Sequence, residues 1–202
     1  MHNDDALREA EEFVIWIHKR TNGLEISVDD QNNIGERCFH LALEHHVAIT
    51  VLMKARLYGS AWALARLLLE SYVRGTWLLH HASPLEIKKY MSGNCPNFPK
   101  LVAAIGTSPE TGGAWLTETT KKSQWSILNE YTHGGASQVS RRYAEGAIES
   151  SYSEKDLTDL LSLANEVAIQ VTAKLFALAN QESLLEQLSE KAAQIRKSEN
   201  IL

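Results

Sequence analysis

The sequence predicts an all-α protein, an antiparallel bundle of about six or seven helices. Three observations lead there. Only 11 of the 202 residues are glycine and 4 are proline, about 7% against an ordinary usage of roughly 12%, so the chain is poor in turn residues. Apolar residues recur at three- and four-residue spacings in several long stretches. No stretch alternates in the two-residue rhythm of a strand, and no internal repeat is visible. A hydrophobic share of 44% with 22% charged residues excludes a disordered or collagenous chain.

The elements follow in order. Asp4 and Asp5 cap a first helix to about Arg20, with Phe13, Ile17 and Arg20 at i, i+4, i+7 and Gly23 as its stop. Asp29 and Asp30 open a second that runs to about Tyr58, with Ile34, Leu41, Ala48, Val51 and Leu52 on its apolar side. Gly59-Ser60 is the expected break before a third helix over 61–81. Ser83-Pro84 starts a fourth over 84–91, with proline at the favoured first position. Residues 92–100 read as irregular, 101–105 as a short apolar piece, and 106–113 as the mobile loop. A helix over 115–131 ends at His133-Gly134-Gly135. Ser153 begins the most regular helix, where Leu157, Leu160, Leu161, Ala164, Val167, Ala168, Val171 and Leu175 keep one face apolar. A last amphipathic helix over 181–197 carries Leu184, Leu188 and Ile195. The expected organisation is one bundle domain over 1–180 and a docking or dimerising helix within 181–202.

Charge is distributed unevenly. Residues 1–50 carry net −6, residues 51–142 net +6 and residues 143–202 net −5. A basic middle between acidic ends suits a polyanionic partner, unless the segments neutralise one another in the fold. Cys38 and Cys95 form no disulfide framework or zinc motif. The acidic start has no signal-peptide pattern, and no run approaches 18 apolar residues. The expectation is a soluble cytoplasmic protein, with no membrane and no DNA-binding motif.

The third helix carries the strongest chemical signal. Arg66, Glu70 and Arg74 are spaced by four, so each step turns the helix only about 40° and the three form a ridge. Tyr58 and Trp62 extend it backward, Trp77 and His81 forward, while His80 points away. The flanks are leucine-rich, so the charges need partners. Either they satisfy each other as a core ladder, or the arginines bind an anion with Glu70 orienting them. Trp62 and Trp77 offer faces on which a base could stack, although core packing is the commoner use. A second stretch, Tyr131-Thr-His133-Gly-Gly135 followed by Gln138, Arg141 and Arg142, reads either as a helix ending or as a phosphate-reaching turn. Glu36, His40 and Glu44 share a face of the second helix, but the chain has no Glu-x-x-His motif, so no metal and no cofactor is assigned. Phosphate-loop, dinucleotide and nucleophile-elbow motifs are also missing.

Two stretches carry a resemblance. They are Tyr58-Gly-Ser-Ala-Trp-Ala-Leu-Ala-Arg66 with Glu70-Ser-Tyr-Val-Arg74-Gly-Thr-Trp-Leu-Leu79, and Trp125-Ser-Ile-Leu-Asn-Glu-Tyr-Thr-His133-Gly-Gly135 with Gln138 and Arg141-Arg142. Together they resemble a group of uncharacterised bacterial all-helical proteins and, more distantly, the HEPN superfamily of toxin–antitoxin and phage-defence systems. Active HEPN members carry an arginine followed after four to six residues by histidine, and Arg74 with His80-His81 is similar to that pattern. The resemblance implies a HEPN-like bundle and a metal-independent endoribonuclease at a dimer seam. Arg74, with Arg66 behind it, would hold the phosphate, Glu70 would fix the guanidinium planes, and His81 or His80 would move the proton. His133, Arg141 or Arg142 would supply a second donor. The partners would be RNA and a second copy or another protein. The competing expectation is a non-enzymatic interaction protein, an antitoxin or defence-complex subunit, in which the ridge is a clasp.

Overall fold

A computed structural model describes residues 3–26, 30–106, 111, 113–120, 122–144 and 146–199. All-α is the fold. Among the described residues there are ten α-helices, a 3-10 turn over Ser140–Arg142 and an isolated bridge between Ala144 and Ala147. The helices are α1 (Asn3–Thr21), α2 (Asp30–Lys54), α3 (Tyr58–His80), α4 (Pro84–Met91), α5 (Phe98–Ile105), α6 (Gly113–Thr119), α7 (Lys122–Thr132), α8 (Ala136–Val139), α9 (Glu154–Leu178) and α10 (Glu182–Glu199).

The α2–α3 hairpin is the spine. The break between them lies earlier than Gly59: α2 stops at Lys54, and Arg56 makes the turn in the left-handed region at φ 58°. Gly59 sits instead in the first turn of α3, buried where a Cβ would lie 2.2 Å from the Arg142 guanidinium. The two helices approach closely because both carry glycine at the crossing. A Cβ on Gly75 would lie 2.5 Å from the Phe39 ring and 3.0 Å from the Gly35 carbonyl, distances a larger residue cannot occupy without moving the backbone.

Helix α9 packs across this hairpin and α1, and α10 lies on α9. The shared core includes Phe13, Phe39, Ile49, Leu68, Leu69, Tyr72, Leu160 and Phe176, all fully buried. Ser153 caps α9 with a reciprocal capping box to Asp156, and Ser83 does the same for α4 with Glu86. An 18-residue window of α9 is apolar enough to match a membrane span by length and composition. Some 61% of it is buried in the bundle, as suits a core helix. The apolar stripe of α10 is covered within the chain: Leu188, Ala192 and Ile195 are buried against α9 and α1.

The stretch 115–131 is two helices where one was expected. Thr117, Thr119 and Thr120 crowd the break, and the Thr117 and Thr120 hydroxyls bond the carbonyls of Gly113 and Leu116. β-Branched residues and back-bonding hydroxyls weaken a helix there. Residues 98–105, read as the end of an irregular stretch to 100 and a short apolar piece over 101–105, form one helix because Asn97 caps Lys100 N–H and Pro99 occupies the first turn. Of the loop expected at 106–113, residues 107–110 and 112 lie outside the described residues.

Candidate functional site

The four-residue spacing on α3 produces the expected ladder. Glu70 is buried, its side chain 7% exposed, and its two oxygens are divided between two arginines. Arg66 Nε donates to Oε1 at 2.8 Å, and Arg74 Nη2 donates to Oε2 at 2.6 Å. One carboxylate thus serves two guanidiniums, and the cluster keeps one positive charge in excess.

The two arginines differ in surroundings. Arg66 is enclosed: Nη1 donates to His133 Nε2 at 2.7 Å, and the guanidinium carbon lies 5.2 Å from the centre of the Trp125 ring. A guanidinium has no acceptor, so Nε2 accepts in this contact. Behind Trp125, Phe98 stacks with centroids 3.7 Å apart and planes 2° from parallel. Arg74 lies at the open end, its side chain 36% exposed. The Cys95 thiol lies within the influence of its charge, and Cys38 Sγ stands 3.5 Å from Tyr90 Oη nearby. Burial pushes the Cys38 and Cys95 thiols and the Tyr90 phenol up, outweighing the pull of Arg74, so all three are neutral near pH 7. Neutral thiols are poor nucleophiles. What the site offers is a fixed, partly open guanidinium with surplus charge.

His133 reaches α3 because of how α7 ends. Gly134 adopts φ 67°, and Gly135 N–H returns to Glu130 O at 2.7 Å, a left-handed helix ending that turns the chain back. Gly135 lies so close to Glu130 that a Cβ would come within 2.9 Å of its side chain. Glu130 then accepts from Ser137 N–H at 2.8 Å and from the Ser137 hydroxyl, which starts α8. Thr132 adds a bond to the Ala63 carbonyl of α3 at 3.3 Å. The two signature stretches therefore meet in space.

Other candidates fall elsewhere. Trp77 is 3% exposed and belongs to the core, so it offers no face to a base: three residues past Arg74 the helix has turned about 60° away from the arginine's side. Trp62 stacks on Tyr131 with centroids 5.2 Å apart. Arg141 is partly exposed, as Arg74 is, but is committed within the chain, bidentate to Asp156 at 2.8 and 3.1 Å and bonded to Ser151 O at 3.2 Å. Burial pushes the Asp156 carboxyl up, but Ser153 and Arg141 outweigh it and hold the group below its ordinary value. Arg142 is exposed, its guanidinium against Gly59. His80 and His81 are exposed at the end of α3. The imidazole bonded to the ladder is His133 rather than either of them, because helix side chains lean toward the N-terminus and Arg74 reaches back to Glu70. Glu36 is half-buried while His40 and Glu44 are exposed, and among the described residues no group of three His, Cys, Asp or Glu is arranged to hold a metal.

Trp125, Phe98, Cys95 and Tyr90 were not singled out as site residues by sequence reasoning. Trp125 lay within a quoted stretch. The others join the site through tertiary packing, with no local pattern to announce it.

No curated protein and no solved structure matches the chain. A family model matches residues 39–198, which include the whole ladder, His133 and α9. The chain belongs to DUF6988, a family of unknown function.

Proposed function

We propose that this protein binds the phosphodiester backbone of RNA at the open end of the α3 ridge and cleaves it without a metal, as a distant HEPN-like endoribonuclease. One observation carries the reading: Arg74 is partly open to solvent while the carboxylate that orients it is buried and shared with Arg66. A guanidinium has five N–H donors, so with one on Glu70 there is capacity for a phosphate. His81 lies seven residues on, about 10 Å along the axis and about 20° from Arg74 around it, so the two share a side of α3 at its end. His81 or His80 takes the 2′-hydroxyl proton, the 2′-oxygen attacks phosphorus to form a 2′,3′-cyclic phosphate, and the P–O5′ bond breaks as the other, protonated histidine gives its proton to the leaving 5′-oxygen. A 2′-hydroxyl nucleophile confines the reaction to RNA. The reading includes a cytoplasmic protein of a toxin–antitoxin or phage-defence system, working as a homodimer or with a partner protein.

Cleavage of single-stranded RNA in EDTA is the test, with a melting curve for each variant. The wild type cuts; Arg74→Ala, and whichever of His81→Ala or His80→Ala removes the base, slow cutting by about 100-fold or more with an unchanged melt. An inactive wild type, or variants as active as the wild type, overturns it.

A second reading is favoured by the three-sided enclosure of Arg66 between Glu70, His133 and Trp125. In it the ladder is a clasp joining α3 to α7, and the protein is a non-enzymatic helical interaction subunit. A large loss of stability in Arg66→Ala without any cleavage by the wild type supports this reading.

A further inference from the structure

We propose that the outward face of α2 is where a second copy of this chain docks, its own α2 running antiparallel about a two-fold axis near Leu41. The proposal rests on the homodimer in the reading above and gives it a surface.

The face is apolar and in register. Ile34, Leu41 and Ala48 recur every seven residues, and Val51 and Leu52 continue the row. At about 100° per residue the five fall within about 100° of arc on α2. None of them is buried, and Leu41 and Val51 are 43% and 59% exposed. Phe39, Ala42, His46 and Ile49 on the other side of the helix are buried, where α1, α3 and α9 pack. Single exposed apolar residues are ordinary on any surface, but a row in heptad register is the pattern of a helix that packs on another helix. Leu67 of α3, about 20° from Arg74 around that helix, is also exposed and carries the face toward the ridge.

Charge identifies the occupant. Arg37 and Glu44 lie in the same arc of α2 and are exposed. Among the described residues neither forms a hydrogen bond or ion pair within the chain. Beside Glu44, burial pushes the His45 imidazole down and outweighs the pull of the carboxylate, so His45 is neutral near pH 7 and leaves that charge unmatched. Arg37 and Glu44 are about 10 Å apart along the axis, too far to satisfy each other. Arg37 stands about 6 Å before Leu41 and Glu44 about 4.5 Å after it. An antiparallel copy centred on Leu41 therefore sets the partner's Glu44 level with Arg37 to about 1.5 Å, and the partner's Arg37 level with Glu44. Both charges are matched at once by the same surface. A parallel copy would oppose arginine to arginine and glutamate to glutamate, which selects the antiparallel arrangement.

The test is sedimentation equilibrium of the full chain without RNA. The wild type sediments at twice the mass of the chain, and Leu41→Glu, at an exposed position, returns it to the monomer. Arg37→Glu and Glu44→Arg each place like charges across the axis and weaken the dimer about tenfold or more. Mixing the two variants in equal amounts restores dimers of wild-type strength, because each then meets its opposite. A wild type that stays monomeric at about 100 μM leaves the face to another partner and overturns the proposal. So does a dimer indifferent to Leu41→Glu or to the charge variants, and so does a loss in both charge variants that mixing does not repair. Should Leu41→Glu fail to fold, the mixing arm decides, since misfolded chains do not rescue each other. A dimer that leaves RNA uncut upholds this interface and overturns the cleavage reading; a monomer that cuts RNA does the reverse.

Discussion

Two arginine clusters looked alike in the sequence and differ in the fold. On α3, Arg66 and Arg74 share the single carboxylate of Glu70, so positive charge is left over at a partly open position. At the start of α9, Arg141 has the whole of Asp156, in a bidentate pair reinforced by Ser153 and the Ser151 carbonyl. The ratio of cations to anions within contact distance, rather than the number of arginines, separates a guanidinium able to take a ligand from one that latches a helix.

The most disruptive way to probe this contrast is Glu70→Ala. It leaves two guanidiniums facing each other beside the core. The loss should be roughly 3–4 kcal/mol, in the lower part of the range for breaking a buried pair because Arg74 is partly solvated. Thermal unfolding should fall by on the order of 10 °C. A melt within 2 or 3 °C of wild type would mean that the ladder carries little strain when its carboxylate is gone.

A neutral polar contact sharpens the comparison. His46 is buried on α2, with Nε2 3.0 Å from Asn165 Oδ1 of α9. Burial lowers its imidazole from 6.5 to about 4, against the opposing pull of Asn165. Below pH 6.5 the unfolded chain takes up a proton that the folded chain refuses. Stability is therefore full above that pH and declines toward pH 4, by about 3 kcal/mol over the interval. Denaturant titrations from pH 7 to 4 should show this slope, and His46→Gln should flatten it. A slope unchanged in the variant would assign the acid lability to another group.

Asp156→Ala is the milder counterpart of Glu70→Ala. It removes the partner of Arg141 and half of the α9 capping box. About 1–2 kcal/mol should be lost, since the pair is partly exposed. RNA binding should not weaken. A drop in RNA binding as large as the drop in stability would mean that the latch also touches ligand.

How much of this was legible depended on the range of the interaction. The caps at Ser83 and Ser153, the proline start of α4 and the apolar face of α9 are local, and the sequence displays them directly. The Arg66–Glu70–Arg74 ladder was legible for the same reason, because i, i+4 neighbours meet on any helix. The end of α2 was not: its turn is made by Arg56 in the left-handed region, without glycine or proline to mark it. Nor was the Arg66–His133 bond, which joins residues 67 positions apart. Trp77 was misplaced because a ridge drawn along one helix ignores what packs on it; its ring is buried in the core. The pairing of Arg141 with Asp156 was hidden because no sequence pattern ties a 3-10 turn to the next helix's cap.

The direct measurement is the affinity of a fluorescent single-stranded RNA for three proteins at fixed salt: the wild type, Arg74→Ala and Arg141→Ala. Surplus charge at Arg74 predicts at least about a tenfold loss for Arg74→Ala and less than about a twofold change for Arg141→Ala. Equal losses in the two variants, or a larger loss for Arg141→Ala, would contradict it.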